Sequence, residues 1–206
     1  MKKNKINILD CTLRDGGYYN HWDFDRVIVD RYLNSLNASS VDIIELGFRS
    51  LPSNKFMGPF AYSTDDFINQ LNLPKRPKYA VMINGKELID NKKSTKTIIK
   101  SLFNQKHKSK ISIVRIAINF DDVIKVKPIA VQLKNMGYEI GLNMMQAHGK
   151  DENTYSSTAE KISSWGVVDV LYFADSLGNM LPEDVKNICY YLKKGWEGSL
   201  GIHAHN

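Results

Sequence analysis

Residues 41–48 read VDIIELGF and residues 168–173 read VDVLYF. In both, apolar residues run nearly unbroken instead of alternating. A strand with one wet face alternates; a strand covered on both faces does not, and its usual setting is a parallel sheet flanked by helices. Outward from these two runs, strand-like and helix-like stretches alternate along the chain. Strands are expected at residues 6–13, 41–48, 78–83, 111–118, 139–144, 168–174 and 199–205. Helices are expected between them, at residues 25–38, 64–71, 95–103, 122–136, 152–165 and 182–194. The first of these carries Val29, Leu33 and Leu36 on one stripe. Pro128 lies inside the fourth helical pattern, which must kink there or start later. Pro182 opens the last helix and Gly195 follows its end.

Seven βα units with no internal shift of composition point to one domain, a TIM (β/α)₈-type barrel. A doubly wound open sheet is the alternative, but no GxGxxG follows the first strand. A complete barrel takes ~250 residues, and this sequence of 206 ends in its seventh strand-like run. The expectation is a barrel truncated after about seven βα units. Its first and seventh strands would have open edges, and a homodimer is the expected way to cover them.

Composition narrows the class. The sequence is 43% hydrophobic and 24% charged, as in ordinary globular domains. No run approaches the ~20 apolar residues of a membrane helix, and the opening MKKNKINILD has no long apolar core of a secretory leader. The two cysteines, Cys11 and Cys189, are too few for a disulfide framework. A cytoplasmic protein is expected. The net charge of +6 gathers in clusters such as Lys92-Lys93 and Lys106-His107-Lys108 with Lys110. They read as a solvated face, because no nucleic-acid motif or interleaved aromatics accompany them; neither a nucleic-acid nor a membrane partner is expected.

Barrel chemistry sits at the C-terminal ends of the strands, and those ends are polar here. After the first strand comes Arg14-Asp15-Gly16-Gly17-Tyr18-Tyr19-Asn20-His21; the second holds Glu45, with Arg49 beyond it. The fifth contributes Asn143, Gln146 and His148, the sixth Asp175-Ser176, and the seventh His203-Ala204-His205-Asn206. His203 and His205, two apart on a strand, point to one face. With Asp15 they make a possible three-ligand metal set with open positions; otherwise the histidines are terminal and exposed, and Asp15 is a turn residue. Arg14 offers a planar, permanently charged fork for an anionic substrate or a developing enolate. It also suits an ion pair with Glu45, which would orient it.

The stretch Leu9-Asp10-Cys11-Thr12-Leu13-Arg14-Asp15-Gly16-Gly17 resembles the opening strand motif of the DRE-TIM metallolyases, the HMG-CoA lyase-like superfamily. Gly201-Ile202-His203-Ala204-His205-Asn206 resembles its GxHxHN metal motif. Glu45, Asn143-Met144-Met145 and Ala174-Asp175-Ser176-Leu177-Gly178 fall where the aldolase branch has similar segments. The resemblance runs from residue 8 to residue 206 and is nearest to 4-hydroxy-2-oxovalerate aldolase. It implies an aldolase-type catalytic domain over residues 1–206, without the eighth unit or a C-terminal domain. It implies a divalent metal, Mn²⁺ or Mg²⁺, on Asp15, His203 and His205, and an enolate stabilised by Arg14. The resemblance also implies substrate contacts from Arg14, Ser176 and Asn143. The implied reaction is retro-aldol cleavage of a small 4-hydroxy-2-keto acid to pyruvate and an aldehyde.

One position departs from that pattern. Where the aldolases place a catalytic histidine two residues after the RDG glycine, this chain has Tyr18. A tyrosine is a poor base near neutral pH unless strongly perturbed, so Tyr18, His21 and His148 share the candidacy for the proton-transfer step. Two other readings stand beside the aldolase: a Claisen-type acyl-CoA condensing enzyme on the same barrel, and a catalytically silent fragment.

Overall fold

The computed structural model describes residues 6–205. Seven parallel strands follow one another in chain order: β1 (Leu9–Asp10), β2 (Ile43–Phe48), β3 (Lys78–Asn84), β4 (Ile113–Asn119), β5 (Glu139–Met145), β6 (Val170–Ala174) and β7 (Ser199–His203). The chain divides into two compact units whose boundary passes through β4. The first runs up to Ile83 and resumes over Ser101–Val114; the second comprises Asn84–Lys100 and everything from Arg115 onward.

In the first unit, β1 pairs with β2 through Leu9↔Ile43, and β2 with β3 through Ile43↔Lys78. The expected first strand is cut short. Asp10 accepts hydrogen bonds from the Thr12 N–H at 3.0 Å and the Thr12 hydroxyl at 3.1 Å. This local turn competes with the ladder, and the chain enters α1 (Thr12–Asp15) and α2 (Gly17–Asn20). Helix α3 (Arg26–Ala38) is started by Asp25, whose carboxylate accepts from Val27 N–H and Ile28 N–H. Its Val29 and Leu33 are buried in a core with Ile44, Leu46, Phe60, Ile68 and Val81. The β2–β3 register shifts between Glu45 and Phe48. Gly47 sits there at φ +154°, and a Cβ on it would meet the Phe60 carbonyl oxygen at 2.1 Å. Thr64 caps α4 (Asp65–Asn69).

In the second unit, β5 pairs with β6 and β6 with β7. The helices are α5 (Gly85–Ile89), α6 (Thr95–Leu102), α7 (Lys127–Asn135), α8 (Glu152–Ser163) and α9 (Pro182–Lys193); the last two residues of α6 lie in the first unit. Pro128 resolves the expected ambiguity. Residues Phe120–Val126 wind as a 3₁₀ helix, and α7 begins only at Lys127, with the proline in its first turn. The seventh strand stops at His203, so His205 stands beyond the strand rather than within it. Ile116, Ile118, Leu133, Ile140, Leu142, Met144, Ile162, Leu171, Phe173 and Leu192 fill this unit's core. Among the described residues, no helix is long and apolar enough to cross a membrane.

Candidate active site

The first unit concentrates charge at the α1 turn that follows β1. The turn swings Arg14 over the middle of β2, where its Nε donates to Glu45 Oε1 at 2.5 Å. Glu45 is fully buried and Arg14 is 5% exposed. The other arm of the guanidinium faces Asp15: Nη1 lies 2.6 Å from Oδ1 and Nη2 2.9 Å from Oδ2. The arginine thus bridges a buried carboxylate to one whose side chain is 38% exposed. Burial alone would lower the guanidinium's pKa, but Glu45 and Asp15 outweigh it and hold Arg14 above the ordinary arginine value.

Cys11 completes this cluster. Its thiol donates to Asp15 Oδ2 at 3.1 Å. Burial pushes the thiol up to about 12 against the pull of Arg14, with the bond to Asp15 adding to the rise. It is therefore a protonated donor to Asp15. Sequence reasoning had treated Cys11 only as a redox marker, although it lies within the quoted motif. Trp22 Nε1 donates to the Arg14 carbonyl at 2.9 Å. Phe48 lies under the guanidinium, 5.6 Å from Cζ to ring centroid. Tyr18 packs edge-on against Trp22 and Phe48, with centroids 4.8 and 6.2 Å apart, and remains exposed. His21 is exposed and left-handed at φ 57°; its carbonyl accepts from Gly58 N–H at 2.7 Å.

The second unit supplies the remaining candidates. The Nε2 atoms of His203 and His205 lie 2.9 Å apart, with ring planes at 81°. Two nitrogens held at ~2.1 Å from one ion and at right angles would be separated by about 3.0 Å. The pair thus has the spacing of two neighbouring ligands, although His205 lies past the strand end. The β7 end is held by Asp175, whose N–H donates to the His203 carbonyl at 2.9 Å. The buried Asp175 carboxylate accepts from Asn179 N–H and Met180 N–H. Gly201 makes room for Tyr172: a Cβ there would meet its ring at 2.3 Å. Asn206 of the motif lies outside the described residues.

Asn143 is buried and accepts from Arg115 Nη2 at 3.0 Å; the Arg115 guanidinium lies 4.4 Å from the Tyr172 ring centroid. The sequence carries a signal for Arg115, a lone charge inside the apolar β4 run IVRIAIN, but it was not among the expected site residues. Ser176 accepts from Gln146 N–H at 2.9 Å, so its own hydroxyl hydrogen can point elsewhere. His148 faces Asn179 and Asp184, at 3.3 and 3.7 Å. The structure thus joins Arg14, Asp15 and Glu45 to one another, and His203 to His205; Asn143 and Ser176 each contact other partners.

The HMGL-like family model matches residues 5–206. A 4-hydroxy-2-oxovalerate aldolase from Geobacillus genomosp. 3 is 29% identical over 100% of this chain and 59% of its own length. That from Pelotomaculum thermopropionicum is 27% identical over 98% of this chain and 57% of its own. An oxaloacetate decarboxylase from Mycobacterium tuberculosis is 21% identical over 97% and 56%. The chain spans little more than half the length of these relatives. Among solved structures, the N-terminal domain of a candidate aldolase from Bacteroides vulgatus superposes with a TM-score of 0.85 at 31% identity. The match covers 97% of this chain and 64% of that one. The carboxyl transferase domain of Rhizobium etli pyruvate carboxylase, 12% identical with a TM-score of 0.74, shares the fold. The fold class is the one expected, a TIM-type α/β arrangement, with seven parallel strands and helices in each of the six connections between them among the described residues. The chain belongs to the HMGL-like family.

Proposed function

We propose that this chain is the catalytic part of a divalent-metal-dependent carbon–carbon lyase that cleaves a 4-hydroxy-2-keto acid to pyruvate and an aldehyde. The observation that carries the reading is the buried Glu45–Arg14 pair delivering a guanidinium to the partly exposed Asp15. The similar aldolases and decarboxylase support it chemically. Cleaving 4-hydroxy-2-oxovalerate and decarboxylating oxaloacetate both break the bond between C3 and C4 and leave pyruvate enolate.

In this reading Asp15, His203 and His205 hold Mn²⁺ or Mg²⁺. Their carboxylate and imidazole donors suit such an ion, and the 2.9 Å imidazole spacing fits two of its positions. When bound, the ion supplies Lewis acidity toward the keto and carboxylate oxygens of the substrate. Arg14 offers its fork to the charge that develops on the enolate oxygen, and a pre-oriented donor costs no reorganisation at that moment. Glu45 fixes the fork by holding Nε. Ser176 and Asn143 orient the substrate carboxylate. Tyr18 and His21, on the exposed turn after Arg14, are the groups proposed to take the 4-hydroxyl proton and return one to C3.

Pyruvate release from racemic 4-hydroxy-2-oxovalerate, with Mn²⁺ or Mg²⁺ and with chelator, tests the proposal. Metal-dependent release that Arg14→Lys lowers roughly 10²-fold is expected. Release unaffected by chelator, or turnover only with acetyl-CoA and a keto acid, would overturn it. A partner copy in solution is expected, and sedimentation at micromolar concentration reads it directly.

A further inference from the structure

The Lys106–Lys110 cluster, which reads in sequence as a solvated face, lines a cavity of about 420 Å³ in the first unit. Its walls are Leu73, Pro74 and Pro77 on the apolar side, with Tyr79, Ser109 and Ser112, and five cations: Lys75, Arg76, Lys78, Lys106 and Lys110. No carboxylate is among these lining residues. The cavity sits where Lys78 opens β3 and Ser112 precedes β4, at the N-terminal ends of the strands. The α1 turn bearing Arg14 instead follows the C-terminal end of β1. In a barrel of this type the N-terminal face is not where the reaction occurs.

Charge compensation sets the cavity apart. Lys125, Lys134, Lys150, Lys186 and Lys194 each rest on a carboxylate. Among the described residues, Lys75, Arg76, Lys106 and Lys110 do not. Where they are tied, they are tied to neutral carbonyls: Arg76 Nη2 to Asn37 at 2.7 Å and Val41 at 3.2 Å, Lys106 to Ser109 at 3.4 Å, and Lys110 to Asn69 at 3.3 Å. Such bonds place the cations without neutralising them. Pro74 and Pro77 stiffen the wall between them, and Tyr79 is pinned by its hydroxyl to the Pro74 carbonyl at 2.6 Å. A rigid concavity with several uncompensated positive charges raises the local concentration of multiply charged anions. Its volume falls in the range of small-molecule sites.

We propose that this cavity binds an organic polyphosphate, its phosphates on Lys75, Arg76, Lys106 and Lys110 and its body against Leu73, Pro74 and Pro77. The proposal is independent of the lyase reading. Calorimetric titration with magnesium-free ATP, and separately with inorganic tripolyphosphate, at about 50 mM salt tests it. Saturable one-to-one ATP binding is expected, weakened about tenfold or more by the double variant Lys106→Glu/Lys110→Glu. Lys75→Glu, which removes no hydrogen bond, should weaken it about threefold or more even if the double variant fails to fold. Lys186→Glu, a charge reversal on α9, should change it less than about twofold. Absence of saturable binding, or an equal loss in Lys186→Glu, would overturn the proposal. Tripolyphosphate binding as tightly as ATP would overturn the organic body. A single-stranded oligonucleotide displacing ATP at lower concentration would replace the proposal with a nucleic-acid surface.

Discussion

Two arginines, Arg14 and Arg49, attach to β2 in the first unit, and both are nearly sealed from solvent. Arg49 is enclosed on every side the structure records. Its Nε and Nη2 donate to the Ser63 carbonyl at 3.0 and 2.6 Å, and Nη2 meets Asp65 at 3.0 Å. Its guanidinium stacks over Phe103. Asp65 in turn accepts from Ser109 at 2.6 Å and Asn104 at 2.9 Å. That network ties the residues around Ser63 and Asp65 to those from Leu102 to Ser109, with Arg49 and Asp65 buried within it. The network of Arg14 is fully buried on the Glu45 side; on the other it passes to Asp15, which also accepts from Cys11 and whose side chain is 38% exposed. A buried arginine whose carboxylate partner is partly exposed is suited to act on a ligand, whereas one whose carboxylate partner is buried is suited to hold structure. The fully buried carboxylate beside Arg14 is what keeps its fork aimed.

The largest effect that separates the two is expected at Arg49. Arg49→Ala strands Asp65 and should cost about 3–5 kcal/mol, read as a lowered urea midpoint. An unchanged midpoint would show that the network holds nothing. Arg14→Lys comes next: it keeps the charge but loses the fork, and turnover should fall roughly 10²-fold with the thermal midpoint little moved. Near-normal turnover would remove Arg14 from the chemistry. Tyr18→Phe is expected to lower kcat by about tenfold with KM little changed; an unchanged kcat and pH profile would leave the proton transfer to His21.

The gentlest effect concerns acid. Burial opposes ionisation of Asp65, but Arg49 and the donors Ser109 and Asn104 prevail and hold its carboxyl below the usual range. A group depressed on folding contributes stability above its unfolded pKa, near ~4. That contribution fades as pH falls from there through the folded value. Asp65→Asn should therefore be less stable at neutral pH and show a shallower loss toward acid. Parallel acid limbs in the two proteins would contradict the assignment.

The strands were legible because their burial is legible. VDIIELGF is largely buried in β2, as its unbroken apolar run requires; in β6 the run VDVLYF marks the strand correctly, but only Leu171 and Phe173 of it are buried while Val170 and Tyr172 are half-buried, so the expected covering of both faces does not hold there. The first strand was overread because periodicity is blind to a side chain that folds back on its own backbone, as Asp10 does on Thr12. The extent of the seventh was overread too; yet the convergence of His203 and His205 survives beyond the strand end, because their spacing and the anchoring of His203 by Asp175 bring it about. Arg14, Asp15 and Glu45 were found together because adjacency and a lone charge in an apolar strand are visible in one dimension. Cys11 and Asp175 were passed over as site residues because their roles consist of hydrogen bonds to neighbours. The network of Arg49 depends on residues 53 to 60 positions downstream in addition to near ones, and sequence spacing carries no trace of that.

The central claim is that Asp15, the partly exposed carboxylate of the Arg14 network, serves a divalent ion and its bound substrate. Loss of the free Mn²⁺ electron paramagnetic resonance signal on titration into the protein near pH 7 measures this directly, with Asp15→Asn, His203→Ala and Arg49→Lys beside the parent. The account predicts saturable binding of one Mn²⁺, weakened about tenfold or more in Asp15→Asn and His203→Ala and retained in folded Arg49→Lys. Equal Mn²⁺ binding by the parent and by Asp15→Asn would contradict it.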